Sequence, residues 1–203
     1  MANSTVYRTI REQIVEQIRN DVLSGEIAAG ESLREQKLAE RFGVSRGPIR
    51  DALLQLTQEG LLVAQPNRGV RVGQGPSELI QPLVVALRRR IEAFALETVL
   101  DQLTKKDLDQ LDEILARFEQ ACIRNEMSEA IPHDVALHRW IVERVGDADL
   151  LQIWLSTITR MRLRYTRHTH LSESFAEHRA IVEAIRRRDK QAALRALEDN
   201  IQP

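Results

Sequence analysis

The chain has 203 residues, a formal net charge of −1 and 43% apolar side chains, enough to pack one large domain or two small ones. Its single cysteine, Cys122, excludes an intramolecular disulfide and suits a reducing cytoplasm. No apolar run approaches the roughly 20 residues of a membrane helix, and MANSTVYRTI lacks a signal-peptide hydrophobic region. Near-neutral charge gives no bulk signature of nucleic-acid binding, which has to be argued from local placement.

The first predicted element is a helix from about Val6 to Leu23, on which Val6, Ile10, Ile14, Ile18 and Val22 fall four apart on one stripe. After the loop SGEIAAGESL comes a short helix in SLREQKLAERFG, with Leu38, Ala39 and Phe42 facing inward and Gly43 closing it. In GVSRGPIRDALLQLTQEGLL, Ser45 is placed to cap a second helix through its side chain, and Pro48 is tolerated in the opening turns. Ile49, Leu53, Leu54 and Leu56 form that helix's apolar stripe, and Gly60 stops it. Arg46 and Arg50 share another face, suited to phosphate and base edges, so the pair of helices reads as a helix-turn-helix. The run LLVAQPNRGVRVG then predicts strands at Leu61 to Ala64 and Val70 to Gly73, a β-hairpin wing with Arg68 at its tip. Between Arg41 and Arg71, the arginines Arg41, Arg46, Arg50, Arg68 and Arg71 face only Asp51 and Glu59, so positive charge is concentrated where DNA would be met.

GQGPSE is the clearest breaker cluster and sets the domain boundary, giving residues 1–75 and 76–203. Beyond it only helical patterns occur, roughly Ser77 to Leu100, Lys106 to Arg124, Ile131 to Val145, Ala148 to Thr169, Ser172 to Arg187 and Lys190 to Ile201. With aromatics at only 4%, this predicts an aliphatic all-α bundle of about six antiparallel helices. The fold class is mainly α, a winged helix-turn-helix followed by that bundle.

Residues 6 to 73 resemble the winged helix-turn-helix of the GntR family of bacterial transcription regulators, in LSGEIAAGESLREQKLAERFGVSRGPIRDALLQLTQEGLL and the NRG wing. The bundle resembles the FCD ligand-binding domain of the FadR branch, in LRRRIEAFAL, HDVALHRWIVERVGDADLL and EHRAIVEAIRRRDKQAALRALEDNI. The resemblance implies DNA contacts by Arg46 and Arg50, with Gly69 letting the wing approach the backbone. Arg34, Ser45, Gly47 and Arg68 are further candidates. Arg34 departs from the small polar N-cap common at its position.

Asp134 and His138 are four apart, so a helix projects both to one face. His178 is a third candidate ligand, and the FCD resemblance implies an Asp, His, His, His set ending 22 residues after the third, where this chain has Asn200. Such a site would hold a divalent zinc, nickel or manganese less tightly than a three-histidine set, or would recognise an effector directly through polar groups. Arginines 88 to 90, and 160, 162 and 164, point to different faces, so at most one or two of each set can enter the bundle; the resemblance makes Arg88 the leading inward member, placed to clamp an effector carboxylate.

The leading expectation is a ligand-responsive regulator and not an enzyme, a homodimer on a palindromic double-stranded DNA operator, controlled by a small organic acid. The alternatives are a mononuclear metalloenzyme using the Asp/His/His set and a helical interaction module with a vestigial DNA-binding fold.

Overall fold

The structure, a computed structural model, describes residues 9–66, 69–163 and 171–202. Its contacts divide the chain into two units, residues 1–74 and 75–203.

In the first unit α1 (Ile10–Leu23) opens on a capping box, in which Thr9 Oγ1 accepts from the Glu12 amide and the Thr9 amide donates to the Glu12 carboxylate. Ile14, Val15, Ile18 and Val22 are buried against α3 (Arg46–Gln58), whose inward residues are Ile49, Ala52, Leu53 and Leu56. Two of the expected stripe residues, Ile10 and Leu54, are exposed instead. At about 100° per residue Ile49, Ala52, Leu53 and Leu56 share one arc of the helix, and Leu54 lies roughly 100° beyond Leu53, off that face. The short α2 (Glu35–Phe42) closes on Gly43, whose φ of 64° is the left-handed conformation that glycine adopts without Cβ strain. Ser45 sits at the N-cap of α3 in extended conformation, but its side chain makes no capping bond. Ion pairs tie the elements together: Arg19 holds Glu59 at 2.6 Å and also pairs with Glu16, while Arg41 holds the buried Asp21 at 2.6 Å.

The expected hairpin is present as β2 (Leu62–Gln65) and β3 (Gly69–Val72), antiparallel with Leu62 opposite Val72. It is extended by β1 (Ser32–Leu33), which pairs with the other side of β3. Two residues inside a loop carry no alternation, so β1 was invisible to pattern reading.

The second unit is a bundle of α4 (Gln81–Val99), a 3-10 turn (Leu100–Gln102), α5 (Lys105–Ile123), α6 (Met127–Glu143), α7 (Ala148–Arg162), α8 (Leu171–Arg186) and α9 (Lys190–Asn200). Thr104 and Asp107 form a capping box at α5, while Asp147 and Asp189 cap α7 and α9. α6 begins four residues before the expected Ile131, with Pro132 inside it. The proline lies in the second turn, where it removes one backbone hydrogen bond without breaking the helix. The core gathers Leu96, Leu111, Leu137, Ile141, Trp154, Ile158, Ile181 and Ile185.

Candidate DNA-reading face and buried histidine centre

The opening turns of α3 carry Arg46 and Arg50 on its exposed side. Arg46 NH2 donates to Gln36 Oε1 at a long 3.4 Å, and the Arg50 guanidinium meets both carboxylate oxygens of Glu35 at 3.2 Å. Glu35 raises the Arg50 pKa further above its ordinary value. Exposed pairs of this length add little to stability and exchange readily for a phosphate. Arg34 occupies the N-cap of α2 without a side-chain capping bond, which leaves its guanidinium uncommitted to the helix end. With Arg50, Leu54 and Gly69 it lines an open groove of about 810 Å³. Gly69 has φ +81°, and a Cβ at Gly47 would meet nothing within 4 Å, so no packing within the chain demands a glycine at 47. Arg68 lies outside the described residues.

In the bundle, Asp134 and His138 project from α6 toward His178 of α8, and all three are buried. Asp134 Oδ1 lies 3.8 Å from His138 Nε2 and 3.5 Å from His178 Nε2. The far nitrogens are committed elsewhere. His138 Nδ1 donates to Glu92 Oε2 at 2.6 Å, and His178 Nδ1 donates to the Ser174 carbonyl at 2.7 Å. These bonds engage Nδ1 of each ring and turn Nε2 toward Asp134 Oδ1. Both Nε2 atoms are buried without a hydrogen-bond partner. The three ligand atoms of this Asp, His, His set lie within 4.8 Å of one another, and Asp134 Oδ1, at 3.5 and 3.8 Å from the two Nε2 atoms, is near the roughly 3.3–3.6 Å that bonds of about 2.0–2.2 Å leave between neighbouring ligands of a divalent ion.

Glu92 organises the back of this centre. Its Oε1 accepts from Arg88 Nε at 2.7 Å and from Trp154 Nε1 at 2.8 Å, while Oε2 serves His138. Burial alone would raise its carboxyl, but Arg88, then His138 and Trp154, outweigh that and hold it at about 2. Burial is also the main reason the His138 pKa falls below 6.5, against the pull of Glu92, so the imidazole is neutral. Asp134 is likewise opposed by burial, yet the Arg162 guanidinium, then His178 and His138, keep it well below the ordinary range. Arg162 NH2 stands 2.5 Å from Asp134 Oδ2, on the oxygen that the histidines do not face.

Arg88 points inward, but its Nε is engaged by Glu92 and its NH1 lies 3.7 Å from Met161 Sδ, while NH2 is buried without a partner. Asn200 is buried and its Nδ2 donates at 3.0 Å to Glu177 Oε2, on α8 next to His178. Phe118 of α5 packs edge-on against His178 with ring centroids 4.8 Å apart. Nearby Cys122 is pushed up to about 11 by burial, then by Asp134, which suits a half-buried thiol and not a nucleophile. Glu92 and Arg162 were the residues that sequence reading missed. A signal for Glu92 existed in its place between Ile91 and Leu96 on an apolar helix, four residues from Arg88. Arg162 belongs to the set 160, 162 and 164, of which the sequence lets one or two turn inward without choosing among them.

Comparison with known proteins adds to this geometry. A family model described as bacterial regulatory proteins, gntR family, matches residues 10–72, and the FCD domain model matches residues 84–202. The HTH-type transcriptional repressor RspR of Escherichia coli (strain K12) is 26% identical over 198 residues, covering 95% of this chain and 86% of that protein. The gluconate operon transcriptional repressor of Bacillus licheniformis is 26% identical over 197 residues, covering 91% and 79%. Among solved structures, E. coli McbR/YncC aligns with a TM-score of 0.84 at 22% identity, covering 97% of this chain and 95% of that one, a likeness of fold.

Proposed function

Because the chain belongs to the GntR family of bacterial regulatory proteins and carries an FCD domain, it is a transcriptional regulator and not an enzyme, and from that premise we propose a two-part sensor. Residues 1–75 read a palindromic operator as half of a homodimer, through Arg46 and Arg50 with Arg34, Ser45, Gly47, Arg68 and Gly69 around them. Residues 76–203 bind a small organic acid that shifts DNA affinity by favouring one arrangement of the dimer over another. No helix among the described residues is long and apolar enough to cross a membrane.

One observation supports the sensing half above all: two buried, partnerless Nε2 atoms converge on one oxygen of Asp134. Leaving such groups without partners is costly, and a bound divalent ion would satisfy both at once. Asp134, His138 and His178 would hold it, and the ion would supply a Lewis-acidic anchor for a carboxylate. Glu92 fixes the His138 ring, and Arg162 restricts Asp134 to one free oxygen. With Asn200 where a further histidine would stand, water or effector would complete the shell. A relative named for the gluconate operon agrees with an organic acid as the effector class.

A second reading is favoured by the Arg162 ion pair: the guanidinium already neutralises Asp134, so the polar cluster can bind an acid without metal. Elemental analysis of protein purified without chelator, with thermal-shift screening of carboxylic acids and operator binding on the same sample, separates the two. One metal per chain in the wild type, lost in His138→Ala and bound more tightly in Asn200→His, is the expected result. Equal metal content in all three proteins would overturn the metal-anchored reading, and acids that stabilise a metal-free protein would establish the direct one.

A further inference from the structure

Leu54 stands 57% exposed on the outer side of α3. Arg46, Arg50 and Leu54 follow one another at intervals of four, and each step turns only about 40° further round the helix, so the leucine continues the stripe that the two arginines begin. A lone exposed leucine needs no explanation. This one lines the open groove of about 810 Å³ between α3, the start of α2 and the hairpin, and Leu33, Leu53, Ala64 and Val70 make much of the groove's remaining wall apolar. Leu33 and Leu53 are themselves buried. An apolar recess therefore opens beside the arginines, on the side of the unit proposed to meet DNA.

Charge selects the occupant of that recess. Arg34 and Arg50 line the groove, and the single acid among its described lining residues, Glu35, is held by Arg50 through both carboxylate oxygens at 3.2 Å. A carboxylate in the fork of a guanidinium occupies the place that a phosphate takes. The occupant is thus anionic at Arg50 and apolar at Leu54, about 6 Å further along the helix axis. A sugar–phosphate chain has that alternation, a phosphate followed by the carbon face of a deoxyribose. Depth agrees with it. With Arg46 at base edges, Leu54 lies about 12 Å back along α3, beyond the roughly 8.5 Å depth of the major groove and level with its sugar–phosphate wall. Gln65 and Gly69 of the hairpin line the same groove, so it has the position of the one strand that divides the major groove from the adjacent minor groove.

We propose that Leu54 is a specificity-determining residue that seats one deoxyribose of the operator backbone and rejects a ribose at that nucleotide. The C2′ methylene of deoxyribose packs on the leucine. In ribose the same carbon carries a hydroxyl, which Leu54 would strip of water without giving it a hydrogen bond. This rests on α3 and the hairpin being the DNA-reading face, and it adds to that face a contact that carries no charge.

The test uses the full chain and a DNA duplex selected for tight binding from a random-sequence pool, with single ribonucleotides then placed at one position at a time. The wild type loses affinity by about five- to tenfold at one nucleotide of a half-site. In Leu54→Asn that nucleotide no longer distinguishes ribose from deoxyribose, whereas Leu54→Met, which keeps an apolar surface, retains the penalty. All three proteins have the same helicity and the same salt slope of binding, because no phosphate contact is lost. A ribose penalty that persists unchanged in Leu54→Asn, or a wild type indifferent to ribose at every position, would overturn the seat while leaving α3 as the reader. A wild type that selects no duplex from the pool would overturn the reading face and the seat together.

Discussion

Arginines in the two halves of the molecule are set to opposite tasks. Arg46 and Arg50 stand in solvent at the start of α3, held only by contacts of 3.2–3.4 Å to Gln36 and Glu35. Arg88 and Arg162 are buried in the bundle, each against one carboxylate at 2.7 and 2.5 Å. The exposed contacts are cheap to open, as the proposed exchange of Gln36 and Glu35 for phosphate requires. In the buried pairs neither partner can be withdrawn without stranding a charge away from water. One residue type thus serves as an exchangeable hand in the first unit and as an internal counter-ion in the second.

The contrast is testable from its strongest consequence down. Glu92→Ala should destabilise the bundle by about 3–5 kcal/mol in denaturant unfolding, because Arg88 loses its partner and His138 its acceptor; a change as small as that of a surface mutation would erase the distinction. Arg50→Ala should leave the melting curve unchanged but weaken specific operator binding by roughly ten- to a hundredfold. Unchanged affinity in that folded variant would remove Arg50 from the reading face.

Acid should act on the buried side. His138 in the folded state titrates below its ordinary 6.5, so the unfolded chain takes up a proton first, and stability present above pH 6.5 is lost as pH falls through that value. Glu92, held at about 2 against an ordinary 4.5, adds a second loss between about 4.5 and 2. Thermal melts in chelator should therefore decline below neutrality, and a flat profile from pH 7 to 5 would contradict a neutral buried His138. The smallest effect is expected of Glu35→Gln, which frees Arg50 from its internal acid and should raise non-specific DNA binding by about threefold at low salt. A decrease would show that Glu35 orients Arg50 for DNA rather than competing with it.

Much of this was legible in advance where the signal was local. The left-handed Gly43 turn, the hairpin around Gly69 and the four-residue spacing of Asp134 and His138 each follow from neighbours within a few positions. Leu54 and Ile10 were misplaced because an apolar residue at a plausible spacing says nothing about whether an opposing surface exists. The strand β1 escaped because its reason for being a strand is β3, almost forty residues away in the chain.

The sequence by itself therefore determined the order of the main elements, the exposed arginines that open α3 and the pairing of Asp134 with His138 on one helix face, since these depend on helical and turn periodicity. Tertiary structure alone decided that Glu92 stands behind His138, that Arg162 takes the second oxygen of Asp134, that Asn200 turns to Glu177 and that Leu54 is left bare. Those outcomes depend on which helices become neighbours. Where two elements meet, burial sets which charges must be paired and which apolar side chains still lack a partner, and no short-range pattern in the chain encodes that.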